Sequence, residues 1–425
     1  MNIQETMAYI HATEWQGSRP GLERITALCR ALGNPEARFP AIHIAGTNGK
    51  GSTSAMLASI LMEEGLRVGL FTSPYIYTFG ERMQINGVPI SDGDLCRVIE
   101  AIRPAVDAME DRPTEFELIT AAAFYWFAEE GVDLAVIEVG MGGRLDATNV
   151  LEAPLLSIVT GISLDHTAYL GDTVEAIARE KAGILRAGTP AVAGAVTPSV
   201  RAVLTEEARK RGTAFRFSDP SALSDVVPTP YGTDFSYRDR QGLHIPFAAI
   251  YQPENAALVL EACDALREGG IPLSEEAIRH GLSAVRWPGR FEYLSHGPDV
   301  VFDGSHNPEG IAAAHASIKR LYSGRFLLLT GVMRDKDYTA MIDTLAPDTA
   351  RVFCVRPDNP RALPAAELAA AWCAAGAEAT ACETVDSAMA AALATARSEG
   401  LPLFILGSLY LYREAKDAFL KAASM

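Results

Sequence analysis

The chain has 425 residues, more than one ordinary hydrophobic core accommodates, and its 48% hydrophobic and 21% charged residues are typical of a globular protein with two domains. A formal net charge of −16 argues against non-specific binding to nucleic acid or to an anionic membrane surface, because like charges repel at long range. The six cysteines show no metal-binding or redox spacing, and neither a signal peptide nor a membrane span is recognisable, so we expect a cytoplasmic protein.

Apolar runs that predict strands alternate with amphipathic stretches that predict helices. The runs AIHIAG, RVGLFTS, DLAVIEVG, LLSIVTGI and PAVAGAV precede a Pro/Gly-rich break at 284–298, and DVVFDG, RFLLLTGV, RVFCVRP and LFILGSLY follow it. This alternation predicts an α/β protein: a mostly parallel sheet domain at 1–288 and a smaller Rossmann-like α/β domain at 289–425. In such sheets, functional loops gather at the carboxyl ends of the strands.

The stretch AIHIAGTNGKGSTSAMLASIL, at 41–61, combines a strand, a glycine-rich turn and a helix. Backbone N–H groups in such a turn, the helix N-terminus and Lys50 would bind phosphate, which makes the first domain one of the P-loop ATPase type. An ordinary strand–helix turn is the alternative. The loop departs from GxxxxGK[ST], because Ile44 replaces the first glycine and Gly51 follows the lysine. A magnesium ligand would therefore have to come from elsewhere in the chain.

Polar residues also lie within or just after three later predicted strands, RVGLFTS, DLAVIEVG and LLSIVTGI. Ser73 ends the second strand, and Glu138 interrupts an apolar strand, where an uncompensated carboxylate would be costly to bury. A metal or a paired base would explain Glu138, although Ser73 is also explained as a turn cap and Glu138 as half of a buried ion pair. His166 is by default an ordinary loop residue, and Lys181 is by default a solvated lysine. The residues around them in the sequence do not by themselves assign either one a functional role.

The last third repeats the order of strand, polar loop and helix. Asp303 ends a strand and His306 lies in the loop after it, which suits either an Asx-type turn or a substrate-facing loop. Arg290, in the linker, could reach a phosphate. Asn255 lies just inside a helix start and could cap that helix or contact a base.

Taken together, the motifs GTNGKGS, FTSPY, ERMQING, EVGMGGRLDATN, SLDHTAYLG, REKAGI, WPGR, DGSHNP, GVMRDKD and GSLYL, in this order from about Tyr9 to Tyr412, resemble the folylpolyglutamate synthase/dihydrofolate synthase family of the Mur ligase superfamily. The resemblance implies ATP-dependent amide ligation. ATP phosphorylates a substrate carboxylate, the amino group of L-glutamate attacks the acyl phosphate, and phosphate leaves.

The resemblance also implies roles for residues at matching positions. Those for ATP are Thr47, Asn48, Gly49, Lys50, Gly51, Ser52, Asn255, Arg290 and Asp303. Those for Mg²⁺ are Ser73 and Glu138 at one site, with His166 and Glu138 at a second. The catalytic residues are Lys50, a carbamylated Lys181 and His306. Those for the pterin are Thr114, Glu115, Phe116, Glu117, Leu145, Asp146 and Ala147, over which the amino-terminal YIHATEW at 9–15 would close.

The implied substrates are ATP, L-glutamate, dihydropteroate and reduced folates, handled by a monomer with no nucleic-acid or membrane partner. Glu115 stands where an aromatic residue is expected in some bifunctional members, so an enzyme that performs only one of the two ligations is an alternative. From another class, a P-loop switch or transport ATPase without ligase activity is also an alternative. Gly51 and the second α/β domain argue against it.

Overall fold

The computed structural model describes residues 1–13, 17 and 19–423. The chain forms two compact units. The first comprises 1–224, 236–243 and 254–285, and the second comprises 225–235, 244–253 and 286–425. The main span of the second unit begins at 286, and two earlier segments, 225–235 and 244–253, join it. Of the expected amino-terminal segment at 9–15, Glu14 and Trp15 lie outside the described residues.

The first unit contains a mostly parallel sheet, as the alternating pattern predicts. Its strands are β1 (Ala41–Ala45), β2 (Val68–Phe71), β3 (Met83–Ile85), β4 (Val88–Pro89), β5 (Leu134–Glu138), β6 (Leu156–Val159), β7 (Ala191–Ala193) and β8 (Phe215–Phe217). Their order is β4-β3-β2-β5-β1-β6-β7-β8, and only the pairs β2–β3 and β3–β4 are antiparallel. Every residue of β1 and β5 is buried, which explains their near-continuous apolar sequences.

Helices cover this sheet: α1 (Ile3–His11), α2 (Glu23–Ala31), α3 (Lys50–Glu63), α4 (Asp92–Asp107), α5 (Glu115–Glu130), α6 (Thr167–Leu170), α7 (Val174–Lys181), α8 (Pro198–Arg211), α9 (Gln252–Glu268) and α10 (Glu275–Ala284). Helices α3 and α5 are buried along most of their length, as helices enclosed by neighbours are. Helix α10 packs closely on α3, because a Cβ at Gly281 would lie 2.4 Å from the Cα of Ile60.

Between α8 and α9 a small sheet contains β9 (Leu223–Thr229), β10 (Gly232–Tyr237) and β11 (Arg240–Ile245), in the order β11-β10-β9. Its residues are divided between the two units. The sequence patterns above did not identify this sheet, because its strands are only partly apolar.

The second unit is a smaller α/β domain, as predicted. Its strands are β12 (Glu292–His296), β13 (Asp299–Phe302), β14 (Phe326–Thr330), β15 (Thr349–Cys354), β16 (Ala379–Ala381) and β17 (Leu403–Leu406), in the order β12-β13-β17-β14-β15-β16. Only β12 is antiparallel to its neighbour. The helices are α11 (Pro308–Leu321), α12 (Tyr338–Leu345), α13 (Ala365–Ala374), α14 (Val385–Glu399) and α15 (Tyr412–Ala423). Within the described residues, no helix is both long and apolar enough to cross a bilayer.

Candidate active site

The phosphate-type loop joins the carboxyl end of β1 to α3. Gly49 adopts a left-handed conformation with φ of 89°, which glycine tolerates, and α3 begins at the next residue, Lys50. The first-turn N–H groups of Lys50 to Ser52 point out of the helix N-terminus, the positive end of its dipole. The Lys50 ammonium donates to the Thr47 carbonyl at 3.3 Å. The loop therefore has the strand, turn and helix that phosphate binding requires.

The loop is fixed to the chain that follows β6. The Thr47 hydroxyl donates to the Ser163 carbonyl at 3.1 Å and accepts from the Ser163 N–H at 3.2 Å, while the Asn48 side chain donates to the Ser163 hydroxyl at 3.3 Å. The Thr160 hydroxyl donates to the Asn48 carbonyl at 2.7 Å. A Cβ at Gly46 would lie 1.7 Å from that hydroxyl, so only glycine fits there. Sequence reasoning missed Thr160 and Ser163, whose signal was two hydroxyl residues after an apolar strand.

Ser73 and Glu138 lie together because β2 and β5 are neighbouring parallel strands. The Ser73 N–H donates to Glu138 Oε2 at 3.4 Å, and Glu138 is only 3% exposed. Lys50 Nζ lies 3.9 Å from Glu138 Oε1, so the buried carboxylate faces a cation from the phosphate loop. The sheet order places Ser73, Glu138, the phosphate loop and the chain after β6 along one carboxyl edge.

A magnesium ion suits the oxygen donors at this edge. The Ser73 hydroxyl and the Glu138 carboxylate are hard donors, and Mg²⁺ in nucleotide sites is usually held by one or two such groups, phosphate oxygens and water. The described residues contain no cluster of three or more His, Cys, Asp or Glu that could enclose a metal.

His166 lies on the loop after β6, at the start of α6. Its backbone is left-handed, with φ of 49°, and its side chain is 40% exposed. Its Nε2 lies 3.9 Å from a carboxylate oxygen of Asp165. Its proposed role at a second metal site stays a prediction.

Lys181 is buried, although sequence alone suggested a solvated lysine. It is 3% exposed, and its Nζ donates to the Gly46 carbonyl, at the start of the phosphate loop, at 2.8 Å. Burial and, to a smaller extent, the Lys50 charge lower the pKa of Lys181 to about 7, against the opposing effect of Asp165 and Asp146. A large fraction of this amine is therefore neutral and nucleophilic near neutral pH.

The segment 114–117 begins α5. The Thr114 hydroxyl accepts from the Glu117 N–H at 3.3 Å, and Glu117 Oε2 accepts from the Thr114 N–H at 2.7 Å and from Arg24 Nε at 3.0 Å. Thr114 and Glu117 thus form the helix capping box. Glu115 pairs with the imidazole of His11 at 3.1 Å.

Phe116 contacts the 140–146 loop, and Asp146 lies at its end. A Cβ at Gly140 would lie 2.4 Å from the Phe116 ring. The buried Asp146 carboxylate accepts from the Met141 N–H at 2.9 Å and from the Thr148 N–H at 3.0 Å. Burial raises the pKa of Asp146, and these hydrogen bonds partly offset that rise. Leu145 is half-buried and Ala147 is buried beside it.

Asn255, on α9, lies against the phosphate loop. A Cβ at Gly49 would lie 2.6 Å from Asn255 Oδ1, so the amide occupies the space that a side chain at the loop would need. Asn255 therefore lies beside the phosphate loop, and the sequence analysis assigned both to ATP.

Arg290, Asp303 and His306 belong to the second unit and lie around Gly304. Asp303 is fully buried and accepts from the Phe291 N–H at 2.8 Å and from the Tyr251 hydroxyl at 2.7 Å. The Arg290 guanidinium would lie 3.3 Å from a Cβ at Gly304, and the His306 ring bonds to the Gly304 carbonyl at 2.9 Å.

Sequence reasoning missed Tyr251. Burial, with the Asp303 charge, raises the pKa of Tyr251 well above its usual value, which keeps the phenol protonated as a donor to Asp303.

Comparison with known protein families identifies the class. The middle domain of Mur ligases matches residues 44–263, and the glutamate ligase domain of Mur ligases matches residues 289–409. The phosphate loop, the parallel sheet and the second α/β unit are therefore those of a Mur ligase.

Individual relatives show which Mur ligases this chain resembles in sequence. The chain is 37% identical to the folylpolyglutamate synthase of Lacticaseibacillus casei, with 100% of both chains covered. It is 39% identical to the dihydrofolate synthase/folylpolyglutamate synthase of Bacillus subtilis (strain 168), with 86% of this chain and 87% of that protein covered.

Solved structures of folylpolyglutamate synthases are also similar to this chain. The Mycobacterium tuberculosis folylpolyglutamate synthase complexed with ADP and AMPPCP is 32% identical, with a TM-score of 0.90 and 98% of each chain covered. An FPGS–AMPPCP–folate complex is 34% identical, with a TM-score of 0.85 and 100% of each chain covered. This chain belongs to the folylpolyglutamate synthase/dihydrofolate synthase family and is an ATP-dependent acid–amino-acid ligase.

Proposed function

We propose that this enzyme adds L-glutamate to dihydropteroate and to reduced folates through an acyl phosphate, with ADP and phosphate as products. The observation that carries the proposal is the carboxyl edge of β2, β5, β1 and β6. This edge collects Ser73, Glu138 and the phosphate loop, and Lys181 bonds to that loop. Family relatives with both activities and an ATP-analogue–folate complex of a similar structure support the choice of substrates.

The phosphate loop would bind the β- and γ-phosphates of ATP. In our proposal the N–H groups at the start of α3 and the Lys50 ammonium neutralise the charge that develops on the transferred phosphoryl group. The side chains of Thr47 and Asn48 hold the loop in shape through Ser163. Asn255 would contact the nucleotide from α9, and Arg290 and Asp303 are also proposed as nucleotide-binding residues.

We assign Ser73 and Glu138 to one Mg²⁺ and His166 with Glu138 to a second. Bound Mg²⁺ would neutralise phosphate oxygens and polarise the transferred group. With Mg²⁺ and ATP bound, the Lys50 ammonium would interact less with the Glu138 carboxylate and more with the phosphates.

We propose that Lys181 is carbamylated. Its neutral amine attacks CO₂ to form a C–N bond and loses a proton, so the cationic side chain becomes an anionic carbamate. The lowered pKa supports this step, because only the neutral amine is nucleophilic. The carbamate would then help to position the acyl phosphate, and His306 would act near the reacting groups.

The pterin would lie along 114–117 and 145–147. We assign Thr114, Glu117 and Asp146 to holding these segments in shape, because their side chains are engaged in hydrogen bonds. Phe116, Leu145 and Ala147 would then contact the substrate, and Glu115 would do so from its pair with His11.

The decisive experiment incubates the purified protein with ATP, Mg²⁺, L-glutamate and either dihydropteroate or tetrahydrofolate, and measures ADP. We expect glutamate-dependent ADP with both pterins. ADP with one alone would indicate a monofunctional enzyme. ADP release that needs no amino acid would support the switch or transport ATPase, an alternative that family membership already disfavours. We further propose that the enzyme works as a monomer in the cytoplasm.

A further inference from the structure

His43 is an unusual residue for its position. It is the central residue of β1, in register with Ile137 of β5 and Ser157 of β6, and it is fully buried. An imidazole in such a strand loses its hydration and must be compensated by hydrogen bonds. An aliphatic residue would avoid that cost, so the imidazole needs another explanation.

The imidazole begins a chain of hydrogen bonds with a fixed direction. His43 Nε2 lies 2.8 Å from the Thr148 hydroxyl, and that hydroxyl donates to Asp146 Oδ1 at 2.6 Å. Because the hydroxyl has a single hydrogen and gives it to the carboxylate, it must accept from His43. His43 therefore carries its proton on Nε2.

The ring is neutral. Burial lowers the pKa of His43 to about 3, with the Arg186 charge adding to the effect. Its Nδ1 is buried and has no hydrogen-bond partner among the described residues. One ring nitrogen therefore makes no hydrogen bond, while the other donates to Thr148. An aliphatic side chain would fill the same space without the cost of an unsatisfied buried nitrogen.

The chain ends on the 140–146 loop. Asp146 Oδ2 accepts from the Met141 N–H at 2.9 Å, so the carboxylate ties the two ends of this loop together. The loop packs closely on its neighbours: a Cβ at Gly143 would lie 3.0 Å from Lys181 Cα, and one at Gly140 would lie 2.4 Å from Phe116. A shift of Asp146 would therefore displace the surroundings of both residues.

We propose that His43 is a positioning residue that acts through Thr148 and Asp146 to hold 140–147 in the conformation that binds the pterin substrate. This inference rests on the proposed function, which places the pterin along that segment. The phosphate loop has its own anchors at Thr160 and Ser163. The chain from His43 should therefore affect the pterin and not ATP.

Two pairs of variants test the proposal. His43→Leu and Thr148→Val remove the donor and the hydroxyl with little change of volume, whereas His43→Gln and Thr148→Ser retain an N–H and a hydroxyl. We expect His43→Leu and Thr148→Val each to raise KM for the pterin roughly tenfold, the effect of losing one buried hydrogen bond, with KM for ATP changed less than about twofold. The conservative variants should stay near wild type, and the double variant should be no worse than either single one.

The proposal is overturned if His43→Leu and Thr148→Val leave the pterin KM unchanged, if their effects add, or if the ATP KM rises in parallel. The last result would mean that β1 itself is distorted. Wild-type enzyme that forms no pterin-dependent ADP would instead refute the proposed function, so the two failures are distinguishable.

A measurement on wild-type protein covers variants that do not fold. With ¹⁵N-labelled histidine, the His43 ring should remain the neutral Nε2–H tautomer from about pH 5 to 9, where ordinary histidines titrate. Its signal should move when the pterin binds and not when AMPPCP binds. A titrating ring, an Nδ1–H tautomer or a signal insensitive to the pterin would contradict the proposal.

Discussion

Lys181 shows how tertiary surroundings change the chemistry of one residue. An exposed lysine is a cation at neutral pH, but burial beside Lys50 brings the pKa of this amine to about 7. The sequence identified its position only through resemblance. The physical reason for its lowered pKa is burial next to Lys50, a residue that is distant in the chain.

Replacing Lys181 tests its catalytic role. We expect Lys181→Ala to lower kcat by about 10²-fold or more, because the carbamate proposed to position the acyl phosphate is lost. Short carboxylic acids should restore part of the activity by occupying the vacated space, as measured by ADP release. Lys210→Ala, on α8, is the matched control, because Lys210 is an exposed lysine paired with Glu206 and Glu207. Full activity of Lys181→Ala would rule out the carbamate.

At the level of elements, close helix packing and the ion pairs of a buried arginine stabilise the first unit. Helices α3 and α10 approach closely at Gly281, and β11 is tied to α9 and α10 by Arg240, which bonds to Asp264 at 2.6 Å and to Glu275 at 2.9 Å. Neither contact follows from local sequence, because a glycine within a helix and an arginine in a strand have many ordinary explanations.

Gly281→Ala should destabilise the protein. The added Cβ would meet the backbone of Ile60, which cannot move like a flexible side chain, and the cost should be about 1–3 kcal/mol. Gly93→Ala, within α4, is the control: its Cβ would meet nothing closer than the Ser91 hydroxyl at 3.8 Å, so it should be neutral or slightly stabilising. Thermal melting of both variants checks the prediction, and equal melting temperatures would contradict it.

The Arg240 network should make stability depend on acid pH. Hydrogen bonding to Arg240, with help from Arg267, lowers the pKa of Glu275 from 4.5 to about 2, against the effect of burial. Since the folded pKa is depressed, the stabilisation is present above about pH 4.5 and is lost as pH falls towards 2.

Glu275→Gln should therefore lower the free energy of unfolding by about 1 kcal/mol at neutral pH, a modest value because the carboxylate is half exposed and screened by solvent. The difference from wild type should shrink as pH falls from about 4.5 and should vanish only below about pH 2, where the carboxyl of the folded wild-type protein is protonated. Glu276→Gln, at the next position on the same helix, should show neither effect. A difference that persists in acid would implicate packing instead of charge.

At the scale of the whole molecule, the second unit includes residues 225–235 and 244–253, which come before its main span in the chain. Tyr251 donates to Asp303, and the Ile250 N–H donates to the Ser317 hydroxyl at 3.2 Å. A boundary read along the chain at 289 cannot include these segments, because linear order does not specify long-range contacts.

A fragment 286–425 should consequently be less stable than the same unit in the full chain. We expect a lower melting temperature, because Asp303 loses a buried hydrogen-bond donor when Tyr251 is absent. Linking 244–253 to the fragment should recover part of the loss, whereas a scrambled linker of equal length should not. A fragment as stable as the full chain would show that these segments contribute nothing to the second unit.

The sequence by itself determined the α/β class, the parallel sheets and the phosphate loop, because apolar periodicity and glycine placement are local properties of the chain. It also carried the order of motifs that the family comparisons confirm. Only the tertiary structure showed that Ser73 and Glu138 meet, that Lys181 is buried and that His43 reaches Asp146 through Thr148. These relations depend on which strands become neighbours and on how far each side chain is removed from water.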